Sequence, residues 1–280
     1  MSAKMNHLAI ISEQYERSAK FYETIFGMRS SASRSMAGKA PTAREKRPAF
    51  AATVGDGYVG LNINPRRPGR AARFEHFGIQ VDDAEAIFAR MAQKYPRVKW
   101  LKRPSNRPFA GITTHDPDGN VFDISQNDMA NRKDIYAEQH ALHPRHISHF
   151  AIRTMNPDTI AEFYRTIFDF EPRNKQAGDP NHYLSDGHIT LVVMPWDITD
   201  YDGTGIAPAS MDHVGFTVEN LADFKDYVKM IGDENPFLQP MPLGANGEGR
   251  RRLALWQRSC PLCQHHMTDM EGNMISASEA

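Results

Sequence analysis

At 280 residues the chain is long enough for two domains of the usual size, roughly 100–200 residues each. Its 40% hydrophobic and 24% charged content excludes a disordered chain, and a net charge of −1 supplies no field toward nucleic acid or an anionic membrane. No apolar run approaches the roughly 20 residues that span a bilayer. The N-terminal MSAKMNHLAI is too short an apolar stretch for a secretory signal, and Cys260 and Cys263 are too few for a disulfide framework, so the cytoplasm is the expected compartment.

In chain order, a short run with alternating apolar residues around His7 predicts a half-buried strand. Tyr15, Ala19, Tyr22 and Ile25-Phe26 then share one face of a predicted helix. Arg29 to Pro48 lacks periodicity and reads as a loop that could close over a site. Further strands are predicted at Ala49 to Val54, Tyr58 to Asn64, Phe74 to Val81, Gly111 to His115 and Val121 to Ser125. A polar connector follows near Asn127 to Pro144, and a strand surrounds His149. Next comes a helix with Asn156 as N-cap, Pro157 in the first position and Asp158 in the first turn; Phe163, Tyr164, Ile167 and Phe168 share its face. Ile189 to Met194, Met211 to Val218 and Leu253 to Gln257 complete the predicted strands. Turn signals separate these segments at Gly55-Asp56-Gly57, Asp118-Gly119-Asn120, Asp186-Gly187 and Glu271-Gly272-Asn273.

The chain is a tandem duplication. Met5 to Met28 (MNHLAIISEQYERSAKFYETIFGM) aligns with Ile147 to Phe170 (ISHFAIRTMNPDTIAEFYRTIFDF), FEHFGIQV at Phe74 aligns with MDHVGFTV at Met211, and DPDGNVFDIS at Asp116 aligns with DMEGNMISAS at Asp269, in the same order. Each half is itself doubled, because His7 and His76 both sit third in equivalent strands. The expected fold is α+β, built from four βαβββ modules paired into two cup-shaped mixed-sheet domains, at residues 1–130 and 145–280.

A lone histidine on a strand is ordinarily a satisfied core or edge residue. Four at equivalent places (His7, His76, His149 and His213) instead bring imidazoles together in a shared concavity, and imidazole is the commonest ligand for a borderline metal. Asp123, flanked by Phe122 and Ile124, either faces solvent through strand alternation or completes a set of two histidines and one carboxylate. The second half offers Ser276 at that place, a poor ligand, and reads as a degenerate copy.

These features resemble the vicinal oxygen chelate superfamily, also called the glyoxalase, bleomycin resistance and extradiol dioxygenase superfamily. The resemblance rests on His7 in the first strand, Phe21-Tyr22 in the helix that follows and Gly27 after it, and the DPDGN turn at Asp116 with a carboxylate at Asp123. It implies His7, His76 and Asp123 as metal ligands. Some four-module members pair their modules across the duplication, in which case His149 replaces His7. Cys260 and Cys263, followed by His265 and His266, have the residue types of a zinc site, but adjacent strand residues point to opposite faces and cannot both converge. Arg66, Arg67, Arg70 and Arg73, and Arg250 to Arg252, read as basic loops, ordinarily solvated; the alternative is steering of an anionic substrate.

A 2-His-1-carboxylate set leaves three positions for a substrate with two adjacent oxygens and for dioxygen or water; Fe(II) is the expected ion, with Mn(II) and Zn(II) as alternatives. Four modules in a chain of this length resemble the extradiol ring-cleaving dioxygenases acting on small catechols. Two features depart from that pattern. The complete triad is N-terminal rather than C-terminal, and Thr113 stands where a tyrosine is expected, leaving His115 as a proton carrier or a plain cap. A glyoxalase- or epimerase-like isomerase or lyase is the first alternative, although Asn62 and Asn64 stand where its carboxylate base would be; a non-catalytic drug-binding protein is the second. A small-molecule substrate is the expected partner, with neither nucleic acid nor membrane, and the duplication allows a homodimer.

Overall fold

The computed structural model describes residues 3–30, 51–103, 111–126 and 144–279. The first half runs β1 (Ala3–Ser12), α1 (Tyr15–Phe26), β2 (Arg29–Ser30), β3 (Ala52–Gly55), β4 (Gly60–Pro65), β5 (Arg73–Val81), α2 (Ala84–Lys94), β6 (Trp100–Lys102), β7 (Ile112–His115) and β8 (Val121–Gln126). The second runs β9 (His146–Thr154), α3 (Pro157–Phe168), β10 (Glu171–Pro172), β11 (His182–Ser185), β12 (Thr190–Pro195), α4 (Ile198–Tyr201) and β13 (Ser210–Val218). After β13 come α5 (Leu221–Glu234), a 3-10 turn (Pro236–Leu238), α6 (Gly247–Ser259), β14 (His265–Thr268) and β15 (Met274–Glu279). Of the predicted loop Arg29 to Pro48, Arg29–Ser30 form β2 and residues 31–48 lie outside the described residues, as do residues 127–143 of the connector Asn127 to Pro144.

Strand pairing stays within each half. One sheet has the order β2-β3-β4-β1-β5-β8-β7-β6 and the other β10-β11-β12-β9-β13-β15-β14. At each centre the two first strands of neighbouring modules run antiparallel, β1 with β5 and β9 with β13, and each also pairs in parallel with a strand of its own module. His7 therefore shares a sheet with His76 and Asp123, and His149 with His213.

Alternation sorts the two faces of each sheet. Leu8, Ile10, Leu61, Ile63, Phe77, Ile79, Phe122 and Ile124 join one large core with the helices. That core continues into the other half: Phe26 of α1 stacks on Phe216 of β13 at 3.8 Å, and Phe77 and Phe122 meet Phe150 and Phe168 at 4.9 and 5.7 Å.

The repeated Phe-Tyr and Asp-x-x-Gly-Asn motifs are two ends of one joint. Asp116 accepts backbone N–H groups of Asp118 and Asn120, the Asn120 amide, and the Tyr164 hydroxyl from the other half at 3.2 Å. Asp269 repeats the pattern with Glu271, Asn273 and Tyr22. Asp118 in turn accepts from the Asn156 backbone N–H and side-chain amide at the start of α3, and Glu271 accepts from Gln14 N–H at the start of α1. Asn156 thus holds the N-cap position but bonds across the interface instead of capping its own helix. Tyr164→Phe should cost about 1–2 kcal/mol, the loss of one hydrogen bond to a buried carboxyl. A lower denaturant midpoint at unchanged slope would report it.

Two sequence expectations are corrected. Leu253 to Gln257 is not a strand, and Arg250, Arg251 and Arg252 are not in a loop; all lie in α6. Asn246 caps that helix by accepting from Gly249 N–H, and Leu255 and Trp256 form its buried side. Five apolar-rich residues cannot distinguish strand from helix by periodicity alone. Among the described residues no helix is long and apolar enough to cross a membrane.

Candidate metal centre

On the face opposite the helices, the first sheet brings His7, His76 and Asp123 together, with one donor atom of each inside a 4.8 Å set. His76 Nε2 lies 3.2 Å and His7 Nε2 4.0 Å from Asp123 Oδ2, and the two imidazoles are edge to face. The register produces this: His7 is opposite Gly78, and Gly78 is opposite Asp123 on the next strand. A Cβ on Gly78 would fall 1.9 Å from His7 Cε1, so the missing side chain is the space that the His7 ring occupies.

A β-bulge precedes every histidine of the four. Asn6, Glu75, Ser148 and Asp212 are the residues skipped in the ladders β1–β5 and β9–β13. In a regular strand consecutive side chains point to opposite faces, whereas the extra residue of a bulge re-aims its side chain. Each skipped residue consequently reaches the Nδ1 of the histidine after it, at 3.0 Å for Asn6, 3.4 Å for Glu75, 3.1 Å for Ser148 and 2.6 Å for Asp212. Asn6 gives its amide N–H to Gln80, which leaves its oxygen to accept from His7 Nδ1–H and the His7 Nε2 lone pair to face the cup. An anchored Nδ1 with a converging Nε2 is the arrangement of a metal-binding imidazole.

Asp123 is buried, which would push its carboxyl up; the His76 hydrogen bond, the charges of His76 and His7 and the Thr113 hydroxyl outweigh this and hold it below its ordinary value. Thr113 donates to Asp123 Oδ1 and accepts from Arg103 Nε at 2.7 Å. Two imidazoles and an ionised carboxylate are a donor set that fits a divalent ion.

His115 is a cap. Its Nδ1 lies 2.7 Å from the Asp116 carbonyl and its Nε2 accepts from Lys99 N–H, so neither nitrogen serves the cup. Asn62 lies on the cup side of β4, between Leu61 and Ile63 of the core, and Asn64 donates to the Asn62 carbonyl. Of the basic residues, Arg70 pairs with Glu75, behind His76, and Arg252 pairs with Asp212, behind His213, at 2.9 Å.

The second sheet repeats the register, with Gly215 opposite His149 and Ser276, and a Cβ on Gly215 would fall 1.9 Å from His149 Cε1. Ser276 holds the place of Asp123. His265 and His266 stay outside the cluster; His266 holds the place of Thr113, opposite Ser276. The residues that sequence reasoning did not join are Cys260 and Cys263 with His149 and His213, all four within one 4.8 Å set. A hydrogen bond from Cys260, opposed by burial but aided by the two imidazoles, holds Cys263 well below the usual thiol range. Beside these donors Trp256, Tyr183, Val192, Met194, Met274 and Cys260 pack into one buried apolar cluster.

A family model for the Glyoxalase/Bleomycin resistance protein/Dioxygenase superfamily matches residues 4–124 and again 146–276. The chain belongs to this superfamily. Within the superfamily it is 22% identical over 237 residues to a manganese-dependent 2,3-dihydroxybiphenyl 1,2-dioxygenase of Geobacillus genomosp. 3, covering 79% of this chain and 70% of the relative. A catechol 2,3-dioxygenase crystal structure superposes with a TM-score of 0.60 at 10% identity, over 99% of this chain and 87% of that one. The Mn(II)-bound glyoxalase from Novosphingobium aromaticivorans does so with a TM-score of 0.58 at 14% identity, over 99% and 81%. At such identities the likeness to the solved structures is one of fold. The α+β fold of two repeated domains, each a mixed sheet with helices on one face, is that of this superfamily.

Proposed function

We propose that the N-terminal half holds a divalent metal through His7 Nε2, His76 Nε2 and Asp123, and that the protein is an extradiol-type dioxygenase of small catechols. The observation that carries this reading is the convergence of two anchored imidazoles and an ionised carboxylate on the cup face, with the His76 side chain still 16% exposed. Fe(II) and Mn(II) both suit this donor set, and the relative from Geobacillus is named as manganese-dependent. Such an ion, when bound, offers open positions for two vicinal oxygens and for dioxygen and lowers the charge cost of a catecholate.

The chain's own residues hold this arrangement. Asn6 and Glu75 fix the rings of His7 and His76, Thr113 fixes Asp123, and Arg103 behind Thr113 adds a positive charge that favours an anionic substrate. Asn62 adds an amide to the same face. Both atoms of dioxygen enter the product as the ring bond beside the diol opens.

The test is protein loaded anaerobically with Fe(II) or Mn(II), then exposed to oxygen with a panel of catechols that includes 2,3-dihydroxybiphenyl. Oxygen uptake with a ring-cleaved product heavier by two oxygen atoms is the expected result. Metal-loaded protein that consumes no oxygen with any catechol would overturn the dioxygenase reading and turn the search toward isomerase substrates.

A further inference from the structure

The second cup carries a donor set that the N-terminal site does not need. His213 Nε2 lies 3.5 Å and His149 Nε2 3.8 Å from Cys263 Sγ, and the Cys260 thiol stands within the same 4.8 Å set. Zinc bond lengths of about 2.0–2.3 Å to two nitrogens and two sulfurs define a tetrahedron with edges of roughly 3.3–3.8 Å. Both N···S distances lie at that spacing. We infer that this half binds a second metal, a zinc ion held by Cys260 Sγ, Cys263 Sγ, His149 Nε2 and His213 Nε2.

Each position has a physical reason. Ser276, in the place of Asp123, sets a neutral hydroxyl 3.5 Å from His149 Nε2 where the first sheet has a carboxylate, so the anionic donors to the two imidazoles come from the cysteines instead. Cys260 is the residue at which α6 ends, its N–H bonded to the Trp256 carbonyl, and the turn to Cys263 swings the second sulfur back under the helix. Two residues between the cysteines is the spacing by which one turn supplies two sulfurs to one ion.

Around the donors, the outer partners are more strongly built than in the first half. His213 Nδ1 meets Asp212 Oδ1 at 2.6 Å, and Asp212 is gripped by Arg153 at 2.5 Å and Arg252 at 2.9 Å, all buried or nearly so. A carboxylate behind a histidine fixes its tautomer and raises its basicity as a ligand. Two thiolates and a zinc ion sum to zero charge, which suits a buried site packed against the apolar cluster of Trp256, Val192, Met194 and Met274.

The two sites differ in access. Each has one partly exposed ligand, Cys263 in the second and His76 in the first, but the second has a fourth donor, the buried Cys260, and Trp256 covers His213 with its ring 4.9 Å away. A closed four-ligand sphere is the structural kind of zinc site, and an open three-ligand sphere is the catalytic kind. This zinc therefore pins α6 as a plug in the cup where a second active site would otherwise open. This goes beyond the dioxygenase reading and does not depend on it.

The full chain, stripped of metal and reloaded with Co(II), gives the test. Wild-type protein should develop the thiolate-to-metal charge-transfer absorption and strong visible bands of tetrahedral cobalt, which the N-terminal oxygen–nitrogen site cannot produce. Untreated protein should carry one zinc per chain that His76→Ala retains and Cys263→Ser loses, and zinc should protect both thiols from alkylation. Wild-type protein without thiolate–cobalt absorption, or with Cys260 and Cys263 isolated as a disulfide in metal-replete protein, would overturn the proposal. The wild-type spectrum decides the matter even if Cys263→Ser fails to fold.

Discussion

His76→Ala is expected to yield folded protein that no longer holds the N-terminal metal, with affinity lowered by more than about 100-fold. Loss of a partner merely behind a metal-binding histidine costs about 10- to 100-fold, so loss of a ligand should cost more. His76 supplies the contact nearest Asp123, and without it the buried carboxylate loses the hydrogen bond and charge that hold it ionised. Metal bound only to the folded state adds about 2.7 kcal/mol of stability at a hundredfold excess over its Kd, so the parent's unfolding midpoint should rise with added Mn(II) and the variant's should not. Oxygen uptake should disappear in parallel. His149→Ala is the matched control: the same truncation on the other sheet should leave Mn(II) binding to the N-terminal half in place. Retention of the metal by His76→Ala would mean that His76 is not a ligand, whereas its loss from His149→Ala would show that the modules work across the duplication.

How much of this could be read in the chain differs by level. The fourfold module was legible because repeats report structure independently of propensity: three aligned passages with one order leave little freedom in topology. The helix faces Tyr15 to Phe26 and Pro157 to Phe168 were legible from 3.6-residue periodicity. Which modules pair was not, because strand pairing is a long-range choice and both pairings bury the same residues. Short strands such as β2, β10 and β14 carry too few residues for a period to register. The helix α6 was hidden because its core side amounts to Leu255 and Trp256 between charged turns.

The site was legible only in its donors. Each of the four histidines follows an oxygen-bearing residue: Asn6, Glu75, Ser148 or Asp212. That signal was present, yet it gained meaning only with the bulges, which no alternation pattern reveals. Cys260 and Cys263 had the right spacing for zinc, but neighbours in sequence (His265 and His266) were the natural partners to consider. The fold supplies His149 and His213 instead, 114 and 50 residues upstream of the second cysteine, by putting the end of α6 over the cup.

Gly78→Ala adds one methyl group at a position where backbone conformation does not require glycine, since Gly78 is not among the residues with positive φ. Space does. The new Cβ would stand 1.9 Å from His7 Cε1 and 2.1 Å from Nδ1, distances at which something must move. Gly78 lies mid-strand, paired on both sides, so the movable group is the His7 ring. Swinging that ring away breaks its contact with Asn6 and takes Nε2 out of the donor set. Overpacking of this kind costs about 1–3 kcal/mol, within the roughly 5–15 kcal/mol that holds a domain, so the variant should fold. Its Mn(II) affinity should nevertheless fall at least about 10-fold, as when an orienting contact of a metal-binding histidine is lost. Metal titration of the folded variant measures this directly, and parent-like affinity would mean that His7 is not a ligand. Gly215→Ala makes the same intrusion against His149 and should release zinc while leaving the N-terminal metal bound. Two glycines facing two histidines through the same register thus give paired tests, one for each half, of a single physical claim: the sheet keeps a gap there so that an imidazole can lie in it.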